Sequence, residues 1–213
     1  MRIELLCNES KYVDILACIF EASTNNVDQI CTPSGLIPRI EEEFIREHCD
    51  FSAIIDFPYG ISETKIRVHE ILLCQSRGIK TIDLVINRYD TENGDLNPIR
   101  KDFKICYEIC KSKGLKLRPV VEYRLADDEF LPQLCYSLRE NGADEIVLGT
   151  GSVVDDLIDN IICSKLIEDR LGLNVVSCSP ILSQEHYDMY NDSKIHGIRV
   201  KSYKILNNLC NIQ

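Results

Sequence analysis

The chain has 213 residues, is 45% hydrophobic and carries a net charge of −10, enough to bury one domain well and short for two. An acidic surface with no Lys/Arg stripe interleaved with aromatics repels phosphate backbones and argues against a nucleic-acid partner. No segment reaches the ~20 apolar residues of a membrane helix, and the start, MRIELLCNESKYVD, turns polar too early for a secretory signal, which points to a cytoplasmic protein.

Along the chain, short β-branched or apolar runs alternate with longer amphipathic stretches. The runs predict strands at 2–6, 28–31, 51–57, 81–87, 117–123, 145–149, 173–178 and 197–202. Between them the helical stretches include 62–77, with Ser62 as the expected N-cap. Another is 152–170, with Ser152 as the expected N-cap and Asp155-Asp156 in the first turns, where the helix dipole favours acid. Eight strands each followed by a helix, in a chain this short, fit a single (β/α)8 TIM barrel over residues 1–213. A doubly wound open sheet fits the alternation too, but no G-x-G-x-x-G follows the first strand.

Eleven cysteines at irregular spacings, with no CxxC, do not read as a zinc site or a disulfide scaffold. They read as reduced, mostly buried thiols, with Cys106 and Cys110 stacked on one helix face and Cys31 and Cys178 as small core residues. His48, His69, His186 and His196 fall in helices or loops, and no metal cluster or Ser/His/Asp set forms around them. Neither a metal nor a cofactor is expected.

A barrel does its chemistry where strands end, and that rule selects Cys31-Thr32, Asp56, Asn87, Glu122, Gly149-Thr150-Gly151, Ser177-Cys178-Ser179 and Lys201-Ser202. Lower in the strands, Asp83 shares a face with Val85 and Asn87, Arg118 with Val120 and Glu122, and Arg199 with Lys201. A carboxylate inside an apolar strand is costly unless paired, so Asp83 with Arg118 reads either as a buried ion pair filling the barrel or as part of a site. Glu122 reads as an acid/base group, as a helix cap or as the residue that orients Arg118. Arg199 and Lys201 read as interior cations or as solvent-facing ones. The catalytic candidates are therefore Asp83, Glu122 and Lys201, and the ligand-binding candidates are Arg118, Thr150, Gly151, Ser177, Arg199 and Ser202.

IIDFPYGISETKIRVHE (54–70) resembles the deoxyribose-phosphate aldolase segment close to V-I-G-F-P-x-G-x-x-T-x-x-x-K-x-x-E, matching at Phe57, Pro58, Gly60, Thr64 and Glu70, with Arg67 in place of the lysine. GIKTIDLVIN is similar to G-A-D-E-I-D-M-V-I-N, and Asp83 falls on the family's proton-relaying aspartate. LKLRPVVEY looks like the strand ending I-L-E-T, with Glu122 on the glutamate and Arg118 replacing a lysine. DQICTPSGLIP echoes V-C-V-N-P, and IELL stands for D-H-T-L-L.

The resemblance implies the barrel, and it also implies a loss. The family's F-I-K-T-S-T-G, laid on EIVLGTG, puts its imine-forming lysine at Val147 while Thr150 and Gly151 remain. Its V-K-A-S-G-G, laid on VVSCSP, puts the helper lysine at Val176 and replaces the phosphate-binding glycines by Ser179-Pro180. R-I-G-T-S-S becomes GIRVKS, with Arg199 on the glycine, and the first strand's aspartate position reads Arg2. An imine needs a partly neutral amine, which no valine supplies. Two functions follow. One is a repurposed lyase or isomerase on a small polar or phosphorylated metabolite, with Arg118 holding an anionic group and Lys201 as a relocated amine. The other is a catalytically inactive aldolase-like ligand sensor or partner subunit. A homodimer would cover the open end of the barrel.

Overall fold

The computed structural model describes residues 1–8, 11–24, 27–40, 50–178 and 181–201. Eight parallel strands close on themselves in sequence order: β1 (Arg2–Leu6), β2 (Gln29–Pro33), β3 (Asp50–Ile55), β4 (Thr81–Val85), β5 (Lys116–Val121), β6 (Glu145–Leu148), β7 (Asn174–Ser177) and β8 (Gly197–Val200). β8 pairs with β1, with Glu4 level with Arg199, so the sheet has no edge. The expected (β/α)8 barrel is therefore what forms, and the open sheet is not.

Outside the barrel stand α1 (Tyr12–Thr24), α2 (Thr64–Ser76), α3 (Arg88–Glu92), α4 (Leu96–Ser112), α5 (Phe130–Glu140), α6 (Leu157–Leu171) and α7 (Gln184–Ser193), with 3-10 turns at Ser34–Arg39 and Tyr123–Leu125. Strand alternation sends Leu5, Ile30, Ile82, Leu84, Ile146, Leu148, Val175 and Ile198 outward to meet the helices, in one continuous apolar layer with Ile15, Ile19, Ile71, Phe103, Leu134 and Ile167. Cys106 and Cys110 both lie buried in that layer on α4. Nine described cysteines are free thiols, eight of them buried. No helix among the described residues is long and apolar enough to cross a membrane.

Two helix starts differ from expectation, for one reason. Ser62 does not cap α2: its hydroxyl and amide both bond to the Asp56 carboxylate, at 2.9 and 2.7 Å, and the helix begins two residues later behind Glu63. Ser152 does not cap α6 either, since it is bonded to Thr150. Asp156 does so instead, accepting from Ile158 and Asp159, so only Asp159 is acid within the first turn. In both places a serine is drawn into the loop that leaves the strand, and the helix start moves on.

Candidate functional site

The interior of the barrel is built in two tiers. The lower is charged and wholly buried. Arg118 on β5 donates from Nε to Asp83 Oδ1 at 2.7 Å, from Nη2 to Asp83 Oδ2 at 3.0 Å, and from Nη1 to Glu4 and to Glu145 Oε1. Arg199 on β8 reaches Glu4 Oε2 and Asp83 Oδ2, each at 2.7 Å from Nη2. Ser52 adds a hydroxyl to Asp83 at 2.9 Å, and the Cys31 thiol donates to Glu4 at 3.2 Å. Two guanidinium groups thus face two carboxylates at the centre. Glu145, towards the strands' amino ends, is answered by Lys116 at 2.7 Å as well as by Arg118, with His196 at 3.7 Å and Arg2 at 3.8 Å.

Burial alone would raise the Glu4 pKa, but Arg199 and Arg118 outweigh it and hold the carboxyl far below the usual range. Burial would likewise depress the Arg118 and Arg199 guanidiniums, and their carboxylate partners reverse this and raise both. The Cys31 thiol is pushed far above its usual value by burial, with Glu4 and Asp83 adding to the shift, so it stays protonated. Neutrality inside the tier, rather than titration, is what this arrangement provides.

The upper tier is apolar. Leu6, Ile54, Val85, Val120, Val147 and Val176 fill the barrel above the ion pairs, together with Cys31 and Cys178, and Phe57 packs onto them. Val147 and Val176 are directly paired on β6 and β7, and both are 0% exposed. The charged tier is therefore separated from the strands' carboxyl ends by a layer of hydrocarbon.

At those carboxyl ends the polar groups are arranged differently. Glu122 does not contact Arg118, because Val120 lies between them. Its Oε2 accepts from the Thr150 amide at 3.0 Å and the Thr150 hydroxyl at 2.6 Å, and Thr150 in turn meets the Ser152 hydroxyl at 2.6 Å. Lys201, half-buried just beyond β8, donates from Nζ to the Gly151 carbonyl. Gly151 has φ +77, and a Cβ there would fall 2.6 Å from Lys201 Cε, so glycine is what lets the lysine lie across this loop. Burial pushes the neighbouring Cys178 thiol up to about 11, against the pull of Arg199 and Lys201.

Of the nine residues expected at a site, the structure brings Glu122, Thr150, Gly151 and Lys201 together at the carboxyl ends of the strands. It brings Asp83, Arg118 and Arg199 together in the sealed lower tier, where Arg199 is an interior cation and not a solvent-facing one. Ser177 joins neither group: it points out to the helices, bonded to Asn160 of α6 and, at 3.0 Å, to Tyr190 of α7. Ser202 lies outside the described residues, as do Ser179, Pro180 and His48. Glu4 and Glu145, the acids that complete the lower tier, are residues the sequence reading passed over. Each sits two positions before an interior-facing apolar residue, Leu6 and Val147, which was the available signal.

No family model matches the chain. Curated relatives do. The deoxyribose-phosphate aldolase of Mycoplasmopsis pulmonis is 29% identical over 147 residues, 69% of this chain and 66% of its own length. That of Treponema denticola is 25% identical over 138 residues, 65% and 64% respectively. The chain thus matches a little under two thirds of the length of these relatives. Among solved structures, the deoxyribose phosphate aldolase of Aeropyrum pernix, itself described as tetrameric, superposes with a TM-score of 0.86 at 19% identity, over 100% of this chain and 91% of that one. An N-acetylmannosamine-6-phosphate 2-epimerase from Clostridium perfringens superposes with a TM-score of 0.67 at 13% identity, over 100% and 93%. At these identities the superpositions speak for the fold.

Proposed function

We propose that this chain, which belongs to the deoxyribose-phosphate aldolase family, is an aldolase-like barrel that binds a small polar metabolite at the carboxyl ends of its strands without the family's imine chemistry. The observation that carries this is the Val147–Val176 pair. The resemblance lays the family's two lysines on these positions. They stand side by side facing the barrel interior, as a nucleophile and its cationic helper would, but as buried hydrocarbon. The two carboxylates, Glu4 and Asp83, and the two arginines beneath them are already mutually neutralised. What remains for a ligand is the Glu122–Thr150–Ser152 chain, suited to hydroxyls, and Lys201, suited to an anionic or carbonyl oxygen.

A second reading keeps a lyase or isomerase activity and moves the amine to Lys201. It is favoured by one arrangement: the lysine lies across Gly151, next to the Thr150 that Glu122 holds, so an amine and a carboxylate adjoin one loop. One experiment separates the two. The protein is incubated with a small aldehyde and borohydride, and its intact mass is measured, alongside a thermal-shift series with phosphorylated and free sugars. The binding reading expects a ligand-raised melting temperature and no adduct. An adduct that disappears in Lys201→Met would replace it with the second reading, and neither binding nor adduct would remove both.

A further inference from the structure

We infer that the groove between the 3-10 turn Ser34–Arg39 and α2 binds a small zwitterion, an apolar chain with an ammonium group at one end and a carboxylate at the other. Two adjoining hollows of about 480 and 250 Å³ make the groove. Both are lined by Ser34, Gly35, Glu70 and Leu73, so one runs into the other. Together they have the size and the mixed lining of a small-molecule site, mostly hydrocarbon with a few placed polar groups. Neither is lined by Glu122, Thr150 or Lys201. The groove opens beside the ends of β2 and β3, across the barrel from β6, and is separate from the site proposed above.

The two ends of the groove carry opposite charge. Glu70 stands where the hollows meet, and its Oε1 accepts from the Ser34 hydroxyl, which leaves the rest of the carboxyl for a ligand. Asp56 lies in the larger hollow too, but its carboxylate is taken by the Ser62 amide and hydroxyl, at 2.7 and 2.9 Å. Burial raises the Glu70 pKa, and the nearby Asp56 adds to this against the pull of Ser34 and Arg67. An ammonium group brought against Glu70 favours its charged form. Arg77 lines the far end of the smaller hollow, and among the described residues no carboxylate pairs with it. Its guanidinium is suited to a carboxylate, which it can hold through two parallel N–H bonds. Between the two charges the lining is Leu73 and Cys74 of α2 and Ile37 and Pro38 of the turn, and Leu73 is 52% exposed. Glu70 and the C-cap Arg77 are two turns apart on one side of the helix, a rise of about 10 Å. A ligand with a single charge would leave one end of the groove unanswered.

The test is calorimetric titration of the full chain with ω-aminooctanoate, octylammonium and octanoate, straight chains whose extended length matches that spacing. ω-Aminooctanoate is expected to bind at least about tenfold more tightly than either singly charged chain. Glu70→Gln is expected to reduce it to the affinity of octanoate, and Arg77→Gln to that of octylammonium. Leu73→Glu, at an exposed position that leaves the floor of the groove intact, is expected to weaken all three chains, and it decides the matter should Glu70→Gln fail to fold. Glu122→Gln is expected to change none of these affinities. Failure of ω-aminooctanoate to bind overturns the proposal, as does an equal affinity for either singly charged chain. So does binding indifferent to Glu70→Gln, Arg77→Gln or Leu73→Glu, or binding lost in Glu122→Gln, which would seat the chain at the strand ends instead.

Discussion

Arg199 on the last strand donates from Nη2 to Glu4 on the first, at 2.7 Å, across 195 residues of sequence. The same register that closes the sheet, Glu4 level with Arg199, makes this ion pair. Because both groups are sealed from water, removing one leaves the tier with an unbalanced buried charge, although Glu4 would keep Arg118 and Arg199 would keep Asp83. Glu4→Gln and Arg199→Met are each expected to cost about 3–5 kcal/mol in urea unfolding. Glu4→Gln combined with Arg199→Met is expected to cost clearly less than the sum of the two single changes. Additive losses would mean that the two residues do not act as a pair.

Acid should find this tier first. The Glu4 carboxyl would be raised by burial alone, yet Arg199 and Arg118 bring it well below its ordinary 4.5, and Glu145 is lowered by Arg118 and Lys116 against its own burial. A carboxyl whose folded pKa lies below its unfolded one binds fewer protons in the native state, so its stabilisation is complete above the unfolded value and is lost as pH falls. Melting temperature is expected to hold steady from neutrality down to about 4.5 and to decline below it. Glu4→Gln, less stable throughout, should show a shallower decline. An equal slope in both proteins would place the acid sensitivity elsewhere.

Much of the barrel was legible because period-two alternation is strict. Asp83 and Arg118 announced themselves as charges inside apolar strands, and the structure pairs them on adjacent strands. What alternation cannot give is the partner across the barrel. Glu4 and Arg118 are 114 residues apart in sequence, and only closure brings them together. Ser177 shows the opposite case. Once Val176 faces inward its neighbour must face outward, so choosing residues by their nearness to a strand end overrode a signal already present. The displaced starts of α2 and α6 have a local cause, since a serine near a helix start can bond to the loop before it as readily as to the helix.

Returning the lost amine tests what the scaffold retains. Val147→Lys would place a lysine among buried hydrocarbon side chains, where burial lowers its pKa and leaves part of it neutral. The variant is expected to lose several kcal/mol of stability and yet to give an aldehyde–borohydride adduct at that position. Stability loss without an adduct would show that the upper tier admits no carbonyl compound even when a nucleophile is present.

The loop after β3 offers a last test, of geometry alone. Gly60 sits at φ +66, where its amide donates to the Asp56 carbonyl at 2.9 Å, and a Cβ added there would lie 2.5 Å from the Val85 carbonyl oxygen and 2.8 Å from that of Ile86. The turn therefore rests on the end of β4 with no room for a side chain, and Tyr59 is held to the same end by the Arg88 amide at 3.0 Å. Gly60→Ala has to move backbone rather than a flexible side chain, in a conformation that L-residues disfavour, and is expected to cost more than about 1 kcal/mol. Gly35→Ala is the matched control, since a Cβ there meets nothing within 4 Å and φ is not in the left-handed region, and it should be neutral or slightly stabilising. Equal unfolding midpoints for the two variants would show that the β3 loop does not lean on β4 in solution.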